Sequence, residues 1–357
     1  MVTGTDATAR TPARRKRVDA HSKTRSMMRS KTRLKTIPLD AGVALERALK
    51  EHSHLPLVRV LRVTHGPSSS QVMMDEDRIA HNHLMRAYFV KRMPGYARRM
   101  DALFALVGEE FVRTAAVSSL SCRNDAFFAK RVPRLRDWYL SGSSGDSRLM
   151  DDLLGKRLRV NGIETTQTLR EMMHETIAYF SRRHRLLTVY GQGDFHEMNV
   201  SLKPLLFDLD ILGRNSFVGE YSVFFWSTLF HEAHLIPRYN AAHLGDLRGR
   251  ERTRIAVTWA ILDDVVDIVL SYEVSVKRRL AIDCYTQNVV LPMCEIDTGW
   301  IADLRHYLLM RVLCIIDVSR FEDDDLVASV GFLGLFWMRM RDKRDIISWG
   351  DLLMPVP

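Results

Sequence analysis

Four residues between positions 194 and 210 have the side chains that a magnesium ion and a reacting hydroxyl group require. Asp194 is followed, after four intervening residues, by Asn199, and two further carboxylates, Asp208 and Asp210, end a short apolar run. Asp194 could accept the proton of a hydroxyl group, while Asn199 and Asp208 offer the hard oxygen ligands that magnesium prefers. The spacing D-x-x-x-x-N is that of kinase catalytic loops, and it predicts phosphoryl transfer.

The two predicted oxygen ligands, Asn199 and Asp208, can share one ion only if the chain reverses between them. Residues 200–202 and 205–209 have the composition of two short strands, and Lys203-Pro204 separates them. Proline is favoured in tight turns. The sequence therefore predicts a hairpin that returns Asp208 to the side of Asn199.

The same residues carry a resemblance to a known family. Residues 192–199 (QGDFHEMN), with residues 207–210 (FDLD), resemble the aminoglycoside phosphotransferase-like kinases of the choline kinase type. The loop of that family reads H-G-D-x-H-x-x-N, and its metal-binding aspartate lies in an I-D-F or I-D-W strand. The resemblance implies a protein-kinase-like two-lobed α+β fold, with a small β-rich N-lobe and a larger, mainly helical C-lobe.

The resemblance also implies a function and a role for each matching residue. The expected activity is ATP-dependent O-phosphotransfer to a small hydroxylated molecule, aminoglycoside-like or another metabolite, with ATP and magnesium as cofactors. Asp194 is expected to act as the catalytic base, and Asn199 and Asp208 are expected to hold magnesium. His196 and Asp210 are expected to support these three residues.

Two positions near the loop depart from the family pattern. Gln192 replaces the usual first histidine, at a position that orients the loop. Glu220 falls where relatives often place an aspartate that braces the loop. Together with a degenerate first lobe, Gln192 leaves open a catalytically weak pseudokinase or a nucleotide-dependent binding protein.

A nucleotide-binding N-lobe is expected over residues 41–135. Residues 57–63 alternate between apolar and polar types and predict a strand. The small-residue loop that follows contains Ser68 and Ser69. Its backbone amide groups are expected to lie near the phosphates of the nucleotide.

Lys91 lies in the middle of the next strand-like run. A strand lysine contacts the nucleotide phosphates in kinases, so Lys91 is the candidate for that role. The helix predicted over residues 96–107 should carry its acidic partner. Asp101 is the preferred partner, with Glu109 and Glu110 as alternatives.

The C-lobe is expected over residues 136–357, after a last N-lobe strand at residues 126–132. Residues 141–147 are small and polar and indicate a loop or lobe boundary. Apolar spacing predicts C-lobe helices at 165–183, 221–235, 251–284, 301–318 and 326–340.

Acidic and histidine residues on these helices suggest further sites. Asp263 and Asp267 would lie one turn apart on one face of helix 251–284, where they would suit a cationic acceptor or be solvated. His231 and His234 are three residues apart, whereas the H-E-x-x-H zinc motif places its histidines four apart. Surface or packing roles are therefore favoured for both histidines.

The positive charge of the chain is concentrated at its start. The 357 residues have a formal net charge of +9, and residues 1–40 contain eleven Lys and Arg against three Asp, or +8. This segment is predicted to be a disordered basic tail, with attachment to nucleic acid or anionic lipid as the alternative. The remaining chain is nearly neutral, which argues against a nucleic-acid-binding fold.

The four cysteines and the hydropathy pattern exclude other classes of protein. Cys122, Cys284, Cys294 and Cys314 are widely separated, and they suggest neither a zinc site nor a disulfide framework. No run approaches the roughly 18 apolar residues that span a bilayer, and no secretory signal is recognisable. A cytoplasmic location is expected.

Overall fold

A computed structural model describes residues 31–38, 60–65, 69–76, 94–121, 128, 131–141, 148–197, 199, 213–239 and 254–353. Within these ranges the protein is α+β, and its strands form three small sheets. The strands are β1 (Lys31–Pro38), β2 (Val60–His65), β3 (Ser69–Glu76), β4 (Ala116–Ser121), β5 (Arg157–Val160), β6 (Ile163–Thr168), β7 (Arg183–Gly191), β8 (Gly213–Ser216), β9 (Arg254–Ile261) and β10 (Val265–Glu273).

Helices make up most of the remaining described structure. The α-helices are α1 (Pro94–Thr114), α2 (Val132–Leu135), α3 (Arg148–Gly155), α4 (Leu169–Phe180), α5 (Phe217–Trp226), α6 (Ile236–Tyr239), α7 (Val276–Tyr285), α8 (Leu291–Ile296), α9 (Trp300–Cys314), α10 (Asp323–Arg339) and α11 (Lys343–Ile347). Three segments are π-helical: Arg136–Leu140, Ser227–Leu235 and Thr286–Val290. Short 3₁₀ turns lie at Val318–Arg320 and Trp349–Leu353.

The first sheet has the order β1-β3-β2 and is antiparallel throughout. Its strand β2 overlaps the strand predicted at residues 57–63. His65 of β2 pairs with Ser70 of β3, and residues 66–68 lie outside the described residues. Strand β1 comes from the last part of the segment that was predicted to be a disordered tail.

The second sheet corrects the long helix predicted over residues 251–284. Residues 254–273 form the antiparallel pair β9 and β10, and only Val276–Tyr285 is helical. This stretch is rich in β-branched residues, which favour strands, and β10 also pairs in parallel with β5. Asp263 lies in the turn and Asp267 in β10, so they do not share a helix face.

The strand predicted at residues 126–132 is also wrong where the structure describes it. Phe128 is helical, and α2 begins at Val132 with Pro133 in its first turn, where the fixed φ of proline suits a helix. Phe128 is buried and stacks on Phe180 with ring centroids 5.7 Å apart. Burial in this aromatic cluster outweighs the strand-like composition of the segment.

The remaining predicted helices are confirmed with shifted ends. Helix α4 begins four residues later than predicted, because residues 165–168 belong to β6 and Thr168 forms a capping box with Glu171. The helix predicted at 221–235 extends from Phe217 to Tyr239 through the π-helical segment Ser227–Leu235.

The third sheet, β4-β7-β8, and two buried helices position the candidate site. Strand β7 lies between β4 and β8 and ends at Gly191. Helix α5 follows β8 directly and packs against α9. Both helices are almost entirely buried in one continuous apolar core. Among the described helices, none is both long and apolar enough to cross a membrane.

Candidate active site

The predicted catalytic loop begins where β7 ends. Gly193 adopts a φ of 84°, in the left-handed region that glycine occupies without a steric penalty. The backbone N–H of Asn199 donates to the carbonyl of His196 at 2.9 Å and closes a turn. The Asp194 side chain therefore emerges between a sharp bend and a closed turn.

Two side chains hold the start of the loop. Oε1 of Glu220 accepts from the backbone N–H of Gly193 at 2.7 Å and from Nδ2 of Asn215 at 3.0 Å. Oε1 of Gln192 accepts from the backbone N–H of Asp194 at 2.8 Å. The bracing contact expected of Glu220 is confirmed, and Gln192 orients the loop through its own amide oxygen.

Glu220 can reach the loop because Gly191 has no side chain. A Cβ at Gly191 would lie 2.2 Å from Oε1 of Glu220, whereas a Cβ at Gly213, its partner across the β7–β8 pair, would meet nothing within 4 Å.

We expect Gly191→Ala to displace Glu220 and lower the free energy of unfolding by about 1–3 kcal/mol, the usual cost of overpacking. Urea denaturation measures the loss. Gly213→Ala is the matched control, and equal losses in the two variants would contradict the prediction.

The Asp194 carboxylate is contacted by a cationic group at each oxygen. Nη1 of Arg311, on α9, lies 3.2 Å from Oδ1, and Nε2 of His196 lies 3.4 Å from Oδ2. Burial favours the neutral acid, but the charges of His196 and Arg311 outweigh it and hold the pKa of Asp194 well below its usual range. Asp194 is therefore ionised, and its side chain remains 20% exposed.

His196 connects Asp194 to a second carboxylate. Its Nδ1 contacts Oε1 of Glu232, a buried residue of the π-helical segment. Burial alone would lower the pKa of His196, but the charges of Glu232 and Asp194 raise it to about 10. His196 is therefore an imidazolium with one N–H directed at each carboxylate.

Two buried arginines attach the loop and its surroundings to the helices. Nη2 of Arg278 contacts Oε2 of Glu197 at 2.9 Å, and its Nη1 donates to the carbonyl of Thr228 at 3.0 Å. Nη2 of Arg311 donates to Oγ of Ser227 at 3.0 Å. The charged side chains of the loop are thus paired with counter-charges from α7, α9 and the π-helical segment.

His231 is next to this charged cluster and is neutral. Burial, reinforced by the charge of Arg311, lowers the pKa of His231 to about 3. Neither ring nitrogen has a hydrogen-bond partner among the described residues. His234, three residues on, instead contacts Oδ1 of Asp325 at 2.8 Å. His234 is thus paired with a carboxylate and His231 is not, and neither belongs to a group of three His, Cys, Asp or Glu side chains that could hold a metal among the described residues.

Asn199, the predicted magnesium ligand, is held to the loop by its side-chain amide nitrogen. Its Nδ2 donates to the backbone carbonyl of Asp194 at 2.8 Å, and its amide oxygen accepts no hydrogen bond from the described part of the chain. An amide oxygen is a suitable hard ligand for magnesium. Asp208 and Asp210 lie outside the described residues, within which no group of three or more His, Cys, Asp or Glu side chains could hold a metal.

The predicted nucleotide-binding residues are only partly described. Lys91 and Ser68 lie outside the described residues, and Ser69 is the first residue of β3. Asp101 is exposed on α1, where its Oδ1 accepts from Nδ2 of Asn288 at 3.3 Å. One turn further along α1, Phe104 packs on Phe195 of the loop, with ring centroids 6.3 Å apart.

Sequence reasoning missed three charged residues of the site. Arg278, Glu232 and Arg311 are all at most 5% exposed. Arg311 stands within the apolar run 308–313 of α9, and a charged residue at such a position requires a buried partner. That pattern could have indicated Arg311, but it does not indicate Asp194, 117 residues away, as the partner.

The resemblance to the aminoglycoside phosphotransferase-like kinases rests on the residues of the loop themselves. No family model, curated protein or solved structure matches the chain.

Proposed function

We propose that the protein is an ATP-dependent O-phosphotransferase with a kinase-like two-lobed fold, acting on a small hydroxylated molecule. The observation that carries the proposal is the geometry of Asp194 and Asn199. An ionised, partly exposed carboxylate is held at both oxygens, and five residues later an amide donates to its backbone carbonyl. This arrangement suits the acceptance of a hydroxyl hydrogen next to a metal ligand.

Asp194 would orient the attacking hydroxyl group. Its pKa lies well below the usual range, so it is a weak base that accepts a hydrogen bond at neutral pH. Phosphoryl transfer through a loose transition state needs little early proton removal, and positioning of the nucleophile supplies most of the effect. A weakly basic, rigid carboxylate is therefore compatible with this reaction.

Asn199 and Asp208 would hold magnesium, and Asp210 and His196 would support them. Bound magnesium neutralises the charge on the transferring phosphoryl group. Lys91, with Asp101 as its partner, would steady the nucleotide phosphates, together with backbone amides at Ser68 and Ser69. A cytoplasmic location, where ATP is available, accompanies this proposal.

One structural feature favours a second function, a nucleotide-dependent binding protein without turnover. Both oxygens of Asp194 are engaged by cationic groups, Arg311 and His196. If these contacts occupied the carboxylate completely, no hydroxyl group could bind to it. Each carboxylate oxygen has a second lone pair, however, and Asp194 is partly exposed, so catalysis remains the preferred function.

The purified protein, incubated with magnesium, radiolabelled ATP and a panel of hydroxylated amines, sugars and amino alcohols, is expected to form a labelled phosphate ester. A thermal-shift titration with ATP and magnesium is expected to raise Tm. Stabilisation without transfer to any acceptor would support the binding protein instead. The absence of both effects would refute the proposal.

A further inference from the structure

We propose that Glu232 is a positioning residue, which orients the Asp194 carboxylate through the imidazole of His196. This inference rests on the proposed function, because the consequence of the orientation is phosphoryl transfer. Glu232 and Asp194 are connected through His196, which contacts both carboxylates. The effect of Glu232 is transmitted through a single ring whose two nitrogens face two different carboxylates.

The contacts form a continuous chain from the helical core to the loop. Oε1 of Glu232 contacts Nδ1 of His196, and Nε2 of the same ring lies 3.4 Å from Oδ2 of Asp194. The Glu232 side chain is 4% exposed and His196 is 15% exposed. Glu232 therefore fixes the ring from the buried side, and the ring contacts Asp194 on the side nearer to solvent.

The π-helical segment contacts both of the cationic residues that hold Asp194, namely Arg311 and His196. Hydrogen bonds in a π-helix join residues five apart, so Ser227 and Glu232 stack along the segment Ser227–Leu235. Ser227 contacts Arg311, which binds Oδ1 of Asp194, and Glu232 contacts His196, which binds Oδ2. One irregular turn thus supports the two groups that hold the two carboxylate oxygens.

Removal of Glu232 would free the imidazole from one of its two carboxylates. Asp194 would then be held mainly by Arg311 at Oδ1, and a carboxylate fixed at one oxygen can rotate about its Cβ–Cγ bond. Transfer depends on the direction in which Asp194 presents its lone pairs to the hydroxyl group. Binding of ATP with magnesium does not depend on that direction.

The test compares Glu232→Ala with Glu232→Gln and with a control, Asp325→Ala. Asp325 is a buried carboxylate that contacts His234 of the same π-helical segment, so its removal perturbs a similar pair away from Asp194. With the best acceptor of the panel, Glu232→Ala is expected to lower kcat about a hundredfold, the usual effect of misplacing a catalytic group. The Kd for ATP with magnesium is expected to stay unchanged.

The conservative variant separates positioning from folding. Glutamine can still accept from Nδ1 of His196, so Glu232→Gln is expected to retain most of the activity that Glu232→Ala loses. Asp325→Ala is expected to lose stability but keep kcat. The proposal is overturned if Glu232→Ala retains wild-type kcat, if Asp325→Ala loses as much kcat, or if Glu232→Gln is as inactive as Glu232→Ala.

A spectroscopic measurement tests the positioning without any turnover. In protein labelled with ¹⁵N-histidine, the ring signal of His196 is identified by its absence from the His196→Gln variant. In the wild-type protein this ring is expected to show two protonated nitrogens at neutral pH. The signal should change in Glu232→Ala and persist in Asp325→Ala. A His196 signal that is the same in Glu232→Ala as in the wild-type protein would overturn the inference. A wild-type protein that shows the expected signal but has no transferase activity would refute only the proposed function.

Discussion

Asp194→Asn is expected to reduce phosphate transfer by about 10²- to 10⁴-fold, the contribution usual for a positioned acid or base. The amide replaces one carboxylate oxygen with a group that donates hydrogen bonds. Whichever way it turns, the amide nitrogen faces a cationic donor, because Arg311 lies 3.2 Å from Oδ1 and His196 lies 3.4 Å from Oδ2. The variant therefore loses both the negative charge and the orientation of the acceptor.

The activity of this variant must be separated from its stability. The substitution removes the negative charge of the Asp194 carboxylate from beside the buried guanidinium of Arg311. The Asp194→Asn variant should therefore also unfold at a lower temperature. Rates are therefore measured per folded protein, below the onset of unfolding, with the ATP-dependent rise in Tm as the check on nucleotide binding. A folded variant that binds ATP and transfers phosphate at the wild-type rate would exclude Asp194 as the catalytic residue.

Arg311→Met is expected to lower the free energy of unfolding by about 3–5 kcal/mol, the usual cost of removing one partner from a buried ion pair. The Arg311 side chain is 3% exposed, and it contacts both Asp194 and Ser227. Without the guanidinium, Asp194 loses the cationic group that contacts its Oδ1, and His196 remains as the cationic group that contacts its Oδ2. Methionine fills a similar volume, so the loss reflects charge more than packing.

Arg305→Met is the matched control for this measurement, because Arg305 lies on the same helix, α9. It contacts Glu175 at 2.7 Å, but both side chains are more than 30% exposed, at 38% and 33%. An exposed pair contributes at most about 1 kcal/mol. Urea denaturation of both variants gives the comparison, and equal losses would contradict the assignment of Arg311 to a buried charged cluster.

The double variant Asp194→Asn/Arg311→Met tests whether the two residues act as a pair. Its loss of stability is expected to be smaller than the sum of the two single losses, because neither charge is then left without the other. Additive losses would mean that the 3.2 Å contact between Nη1 and Oδ1 contributes nothing specific.

Much of the candidate loop follows from short-range spacing. The turn that joins Asn199 to His196, and the amide that joins Asn199 to Asp194, involve residues at most five positions apart. The glycine at position 193 permits the bend between them. Contacts of this range depend on the order of neighbouring residues, whereas the predicted roles of Asp194 and Asn199 in phosphoryl transfer and magnesium binding stay predictions.

Secondary structure was less predictable where apolar residues are dense. Residues 254–273 have enough apolar residues to suit either a buried helix or a strand pair, and their pairing with β5, more than 90 residues earlier, decides the outcome. The segment around Phe128 is similar, since its helical state is stabilised by burial against Phe180 and Tyr307. Local composition cannot specify such partners.

The sequence by itself presented the D-x-x-x-x-N spacing of Asp194 and Asn199, and the resemblance that it carries led to the prediction of an α+β fold and pointed to Glu220 near the loop. Only the tertiary structure decided how Asp194 is held, through Arg311 and through Glu232 by way of His196. The physical reason is the cost of burying charge. Arg311 and Glu232 are tolerated in apolar helices only because folding brings each to a counter-charge that is distant in the chain.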